Sequence, residues 1–500
     1  MTAPAPKTKG VSPSLRRKDR PRVYDAAGQT PSPGLGPGPA RQADAHREPA
    51  RALGEASLRL DRVVTEFECG RPAVAGRTIR LPYVARAGGL AAREFLEVIE
   101  LPGGLGQVPG QVRQPLLRLL SVAAGLSYFK AFAPAAITAP GGLTARERDF
   151  LDQLVNCGLG EFAYVNSLPE VFDTKIAAPE LPQADGPASP ARPGQGRALV
   201  AVGGGKDSIV SIEALKAAGF EFELFAVNSF KPITDTAAAA GLPLHLVDRR
   251  IDPGLLELNQ AGAPNGHVPV TAVNSLLAVL SALALGFDSV VFSNEASSSA
   301  GNLVWQGRQI NHQWSKSLEF ERLLRQTLPA GAPQYVSLLR PLSELRIARR
   351  FAQLPTYHQV FTSCNRAFKL RQSERTSWCA DCPKCRFVFL GLAPFLSRAA
   401  VLEIFGGRDM FADGAQLPGF CDLLGAGPGA KPFECVGEAA ECRVALDLLR
   451  AHPDWQDHAF LARPELRDVH ASPAEQQAVF TFREHEHCLP KALEAVARAI

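Results

Sequence analysis

Apolar and polar residues alternate at Thr78-Ile79-Arg80-Leu81-Pro82-Tyr83, the two-residue period of a half-buried strand. A helical period follows over 115–132, and Thr144 with Glu147, spaced as a capping box, opens a second helix over 145–155. From residue 198 the pattern becomes regular: strand 198–202, a run of glycines, helix 208–218, strand 222–227, helix, strand 244–247, helix, strand 289–292. Short apolar runs separated by helical periods predict an α/β fold built on a doubly wound parallel sheet. Ligands of such sheets bind outside the carboxyl ends of the strands, which makes 203–208, 228–231 and 293–302 the loops of interest.

Breaks in the pattern divide the chain. Residues 1–55 are rich in Pro, Gly, Ala and Arg and poor in large apolar side chains, and so predict a disordered arm. An α+β domain is expected over 56–180, a linker over 181–196, the nucleotide-type domain over 197–350, a cysteine knuckle segment over 351–398 and a C-terminal region over 399–500. The uncharged stretch 268–287 has the length of a membrane span. Its Pro269, Thr271, Asn274, Ser275 and Ser281, and the strand pattern that follows, favour a buried helix instead.

Composition narrows the function classes. Across 500 residues, 54 Lys and Arg face 50 Asp and Glu, and a net charge of +4 is too small to select nucleic acid. Ten cysteines are sparse for a disulfide scaffold and several crowd into one short stretch, and no charged segment followed by an apolar run opens the chain. The expectation is a reduced, cytoplasmic protein without membrane attachment, and nothing in the pattern sets an oligomeric state.

The glycine run carries the first chemistry. In Gly203-Gly204-Gly205-Lys206-Asp207-Ser208, between a strand and a helix, three glycines let backbone N–H groups approach a phosphate, and the helix adds its free N–H groups and positive dipole end. Lys206 supplies a point charge, Ser208 a hydroxyl, and Asp207 a carboxylate suited to magnesium. The spacing is neither a Walker A loop nor a dinucleotide fingerprint. It resembles the Ser-Gly-Gly-x-Asp-Ser loop of the PP-loop ATP pyrophosphatases, with Gly203 in place of the usual serine. That resemblance implies ATP binding and an adenine nucleotide alpha hydrolase-like fold. The alternative is a tight turn with glycines for steric reasons.

Cys379, Cys382 and Cys385 in two overlapping CxxC steps, with Cys364 upstream, provide the four thiolates of a closed structural zinc site. An iron–sulfur cluster suits the same ligands. Lys384 and Arg386 are expected to offset the thiolate charge. Cys435 and Cys442 read as core or surface residues, and Cys69, Cys157, Cys421 and Cys488 carry no assigned chemistry.

The glycine loop, Arg340-Pro341-Leu342-Ser343-Glu344-Leu345, Ser363-Cys364-Asn365-Arg366-Ala367 and Trp378-Cys379-Ala380-Asp381-Cys382-Pro383-Lys384-Cys385-Arg386-Phe387 together resemble the MurL family of UDP-N-acetylmuramoyl-L-alanyl-L-glutamate epimerases over roughly 60–490. The resemblance implies ATP-dependent inversion of the terminal L-glutamate of a UDP-sugar dipeptide through an acyl adenylate, with release of AMP and diphosphate. A 7-cyano-7-deazaguanine synthase, which shares loop and knuckle but is much smaller, a tRNA-modifying PP-loop enzyme and a non-catalytic ATP-binding regulator are the alternatives. For the proton transfers the candidates are Glu295, just past strand 289–292, and His312; Arg340 and Arg346, with Arg349 and Arg350, are candidate clamps for the diphosphate or the glutamate carboxylate.

Overall fold

Ile79, Leu81, Tyr83 and Ala85 are all fully buried, so the strand expected at Thr78 continues to Ala87. A computed structural model of the chain describes residues 64–183, 196–368, 377–429 and 431–500. The expected arm, 1–55, and most of the expected linker, 181–196, lie outside the described residues. The main sheet comprises β1 (Val64–Cys69), β2 (Ala73–Ala75), β3 (Thr78–Ala87), β4 (Leu90–Glu100), β5 (Ala136–Thr138), β6 (Lys175–Ala177), β7 (Ala198–Ala201), β8 (Phe222–Val227), β9 (Leu244–Arg250) and β10 (Ser289–Phe292). A small hairpin, β11 (Leu303–Trp305) with β12 (Arg308–Ile310), stands apart, and β13 (Gln334–Ser337) completes the sheet.

The strand order is β13-β10-β7-β8-β9-β4-β3-β1-β5-β6, with β2 beside β3. β13, β10, β7, β8 and β9 are parallel, as the alternating pattern predicts, and β13 is an additional strand that it did not reveal. β7 has β8 on one side and β10 on the other, so the strand order reverses there and opens a crevice at its carboxyl end.

The N-terminal α+β segment shares one sheet with the parallel strands, because β4 pairs antiparallel with β9 through Val98–Arg250, Ile99–Arg249 and Glu100–Asp248. Beneath that seam the buried Arg249 guanidinium donates to the Glu97 carboxylate at 2.7 and 3.2 Å and to Ser127 Oγ at 3.3 Å. A buried charge pair is stable only when its hydrogen bonds are met, and this one joins the two halves across the seam.

Both faces of the parallel strands are covered. Leu199, Phe225, Val247 and Val290 pack toward the helices Gly110–Phe129 and Val270–Leu285, while Val200, Leu224, Val291 and Val336 pack toward the helix Lys206–Ala217 and the C-terminal helices. The 268–287 stretch is thus a core helix, and among the described residues no helix is long and apolar enough to cross a membrane. The capping box on the helix Ala145–Gly158 forms as expected, Thr144 Oγ1 accepting from Glu147 N and the Glu147 carboxylate from Thr144 N.

Candidate active site

The crevice holds a cavity of about 290 Å³ whose wall includes Gly203, Gly205, Asp207, Ser208, Ser293, Asn294, Lys316, Thr362, Ser363, Lys384 and Cys435. Two of the three expected loops contribute; the third stops at its margin, with Val227 on the wall. Gly204 has φ +74°, and a Cβ there would stand 2.7 Å from the Pro232 carbonyl carbon. A Cβ on Gly205 would meet Ser363 Oγ at 2.9 Å, whereas one on Gly203 would meet nothing within 4 Å. Two glycines are therefore demanded by close packing, and the third leaves the cavity open. Ser208 Oγ accepts from Gly203 N at 3.4 Å and donates to the Gly205 carbonyl at 3.0 Å, which holds the loop against the first turn of the helix Lys206–Ala217.

Lys206 does not face the cavity. It is buried, and its ammonium is held by the carboxylates of Asp207 and Glu344. The cations that reach the wall are instead Lys316 and Lys384. Asp207, Glu295 and Glu344 each place a carboxylate oxygen within 4.8 Å of the others, a donor set that suits a hard divalent cation. Burial works against the Asp207 charge, but Lys206 and then Lys384 outweigh it and hold the carboxyl below its usual range. Burial, followed by the Asp207 charge, pushes Glu344 up to about 7.

Glu295 is buried within this cluster rather than on the cavity wall. Arg340 is not a substrate clamp: its Nε donates to Glu321 at 3.1 Å, Nη1 to the Glu295 carbonyl and Ser298 Oγ, and Nη2 to the Lys316 carbonyl and Ser337 Oγ. These bonds use all five of its N–H donors. Arg346 is not a clamp either, since it donates to the carbonyls of Phe480 and Arg498 far along the chain. Arg349 lies over the Phe480 ring and Arg350 donates to Gln353.

The four knuckle cysteines converge as their spacing predicts. All are buried, their sulfurs lie within 4.8 Å of one another, and Cys385 Sγ is 3.6 Å from Cys379 Sγ and 3.5 Å from Cys382 Sγ. A tetrahedral zinc with ~2.3 Å bonds needs sulfurs roughly 3.8 Å apart, so the set fits that ion with little adjustment. Lys384 and Arg386 do not offset the thiolates. Lys384 turns to the Cys435 carbonyl and Glu344, and Arg386 donates to Gln416 at 2.8 Å.

The profile of the MurL N-terminal domain matches residues 64–338, and that of the MurL C-terminal domain matches 360–479. The chain belongs to the MurL family. A relative from Micromonospora sp., named UDP-N-acetyl-alpha-D-muramoyl-L-alanyl-L-glutamate epimerase, is 47% identical over 81% of this chain and 92% of its own length. Proteins of the same name from Salinispora tropica and Xanthomonas oryzae pv. oryzae are 49% identical over 73% of this chain and 80% of the relative, and 43% identical over 81% and 91%. No solved structure matches the chain.

The MurL division places the whole sheet in the first domain and the knuckle in the second, and the cavity lies between them. Gly203 to Lys316 come from the N-terminal domain, Thr362, Ser363, Lys384 and Cys435 from the C-terminal one. Cys435 is therefore no mere core or surface thiol. Lys316 Nζ donates to its Sγ at 3.0 Å, and His312 interacts with the same sulfur. Burial alone would raise the thiol, but Lys316 and then His312 bring it down to about 5. His312 stands behind Cys435 rather than on the wall, its Nδ1 paired with Glu161 and its ring 4.4 Å from that of His267. Burial disfavours its charge, but Glu161 and then Cys435 hold the imidazole protonated, up to about 10. A lone cysteine in an irregular stretch carries no spacing signal, so nothing short of the tertiary contacts singles out Cys435.

Proposed function

We propose that this chain inverts the terminal L-glutamate of UDP-N-acetyl-α-D-muramoyl-L-alanyl-L-glutamate to D-glutamate, converting ATP to AMP and diphosphate, as an isomerase of peptidoglycan precursor synthesis. Its main support is one crevice, at the reversal of strand order, that joins the glycine loop, a carboxylate cluster and two lysines, in a chain 43–49% identical to relatives bearing the epimerase name.

A Cα–H beside a carboxylate resists deprotonation because a second negative charge would build next to the first. Transfer of AMP to that carboxylate removes the obstacle, since the acyl adenylate carbonyl accepts enolate charge. In this reading the backbone N–H groups of the loop and Ser208 cradle the phosphates, and Lys316 and Lys384 stabilise the charge that builds on them. Asp207, backed by Glu295 and Glu344, would hold magnesium, which screens the triphosphate when bound. Zinc on Cys364, Cys379, Cys382 and Cys385 is structural, because four protein ligands leave no open position. In this reading both substrates are cytoplasmic molecules, and the reaction would belong in that compartment. A deazapurine synthase, a tRNA-modifying ligase or a silent nucleotide sensor would share the loop, and no observation favours them.

The test is turnover of the purified UDP-dipeptide with ATP and magnesium in heavy water. The expected result is AMP, diphosphate and D-glutamate in equal amounts, with deuterium at the product Cα. Untouched ATP, or D-glutamate that keeps its original Cα hydrogen, refutes the reading.

A further inference from the structure

We infer that Cys435 takes the glutamyl group from the adenylate as a thioester, and that inversion at Cα proceeds on this covalent intermediate. The inference rests on the adenylation reading above.

Two cations, Lys316 and His312, face the sulfur. Glu161 pairs with His312 Nδ1, His312 interacts with Cys435, and Lys316 Nζ donates to Sγ at 3.0 Å, while Cys435 shares the cavity wall with Gly203, Gly205, Asp207 and Ser208. A thiolate held between an ammonium and an imidazolium that a carboxylate orients is an activated nucleophile for acyl transfer. Glu161 Oε1 is buried without a hydrogen-bond partner, an acceptor left over for a bound group or water. The stretch carrying Cys435 is held to the same place from two sides. Asn302 accepts from His312 N at 2.9 Å and donates to the Pro432 carbonyl at 2.8 Å, tying the His312 loop to the Cys435 loop. Lys384 donates through its ammonium to the Cys435 carbonyl and through its amide to Glu434 at 3.2 Å.

Magnitudes separate the nucleophile from a Cα base. A thiol brought from 9.0 to about 5 is almost wholly thiolate at neutral pH. Its affinity for a Cα proton falls by the full shift, whereas thiolate nucleophilicity falls by only ~0.4–0.5 of it. The residue is thereby poor at removing a carbon-bound proton and still competent to attack an activated acyl group.

The steps balance. The Sγ electron pair forms a bond to the acyl carbon, the bond from that carbon to the AMP phosphate oxygen breaks, and AMP leaves with the pair. The thioester carbonyl takes up the electrons of the Cα–H bond as the proton passes to solvent in the cavity, and those electrons return to Cα as a solvent-derived proton adds to the opposite face. Water then attacks the carbonyl, the C–S bond breaks, and the thiolate, the D-glutamyl carboxylate and two protons are released. Acylation also removes the anion that Lys316 was neutralising, which frees its ammonium for the enolate oxygen.

The deciding experiment uses the full-length wild-type enzyme with glutamate-labelled UDP-dipeptide and ATP–magnesium. Substrate-dependent exchange of labelled diphosphate into ATP reports adenylation. Acid quench within one turnover, followed by proteolysis and mass spectrometry, reports label on the Cys435 peptide that hydroxylamine releases. Exchange together with such label, at a tenth of the enzyme or more, is the expected result, with at least a thousandfold loss of D-glutamate formation in Cys435→Ala. Exchange and D-glutamate formation without label on Cys435, with Cys435→Ala keeping a tenth or more of the rate, overturn the thioester and leave the adenylation reading standing. Absence of exchange in the wild type overturns both.

Discussion

The amide of Thr362 donates to the carbonyl of Gly204 at 3.0 Å, so the chain leading into the cysteine knuckle is bonded to the glycine loop. Cys364 follows two residues later, and Lys384 rises from between Cys382 and Cys385 to the same cavity. The knuckle therefore positions part of the site wall. Cys382→Ser is expected to remove bound zinc, to lower the melting temperature by several degrees or more, and to raise the KM for ATP at least tenfold. Metal analysis, calorimetry and kinetics check this; a metal-free variant with wild-type stability and KM would show that the four sulfurs hold no ion.

Asp207 is the one carboxylate of its cluster on the cavity wall. Asp207→Asn keeps the size of the side chain and leaves Lys206 paired with Glu344. AMP formation should fall by about a thousandfold with the melting temperature nearly unchanged. Survival of more than a tenth of the AMP formation would mean that the loop does not bind the nucleotide as described.

Arg340 donates to Glu321 and to both segments flanking the site, and it is almost wholly buried. Arg340→Met leaves the buried Glu321 carboxylate without its cation, a loss of about 3–5 kcal/mol. Chemical denaturation measures it. If Arg340 instead gripped the substrate, KM would rise while stability stayed within about 0.5 kcal/mol of the wild type.

The Cys435 thiol lies near 5 because Lys316, His312 and Lys384 face it, against the opposing effect of burial. A depressed thiol stays ionised above its lowered pKa and gains its proton as pH falls through about 5. Alkylation by iodoacetamide should therefore be nearly constant from pH 6 to 9, on the order of the range expected for an activated cysteine, and drop below about 5. Lys316→Gln and His312→Gln should each move the midpoint upward by about a unit or more, a shift that loss of packing alone would not produce. An unchanged midpoint in both variants would show that the two cations do not set the thiol.

Much of this protein was determined by local sequence. The alternating strands and helices, the glycine loop, the capping box at Thr144 and the convergence of Cys379, Cys382 and Cys385 all follow from features within a few turns of chain: hydrogen-bond period, close backbone approach and ligand spacing. The continuity of the sheet from β4 to β9 was not legible, because edge pairing leaves no mark in the pattern of either strand.

Side-chain roles were decided later still. Lys206 was read as a phosphate ligand from its place in the loop, yet Glu344, 138 residues away, claims it. Arg340 looked like a free clamp until Glu321 and four other acceptors filled its donors. Lys316, Lys384 and Cys435 became the groups at the cavity because the strand order reverses at β7 and the second domain contributes to the wall there. The chain's own pattern thus determined which elements form and where the glycine loop lies. Which charges face that site depends on partners as far as 138 residues away along the chain, and only the tertiary structure decided it.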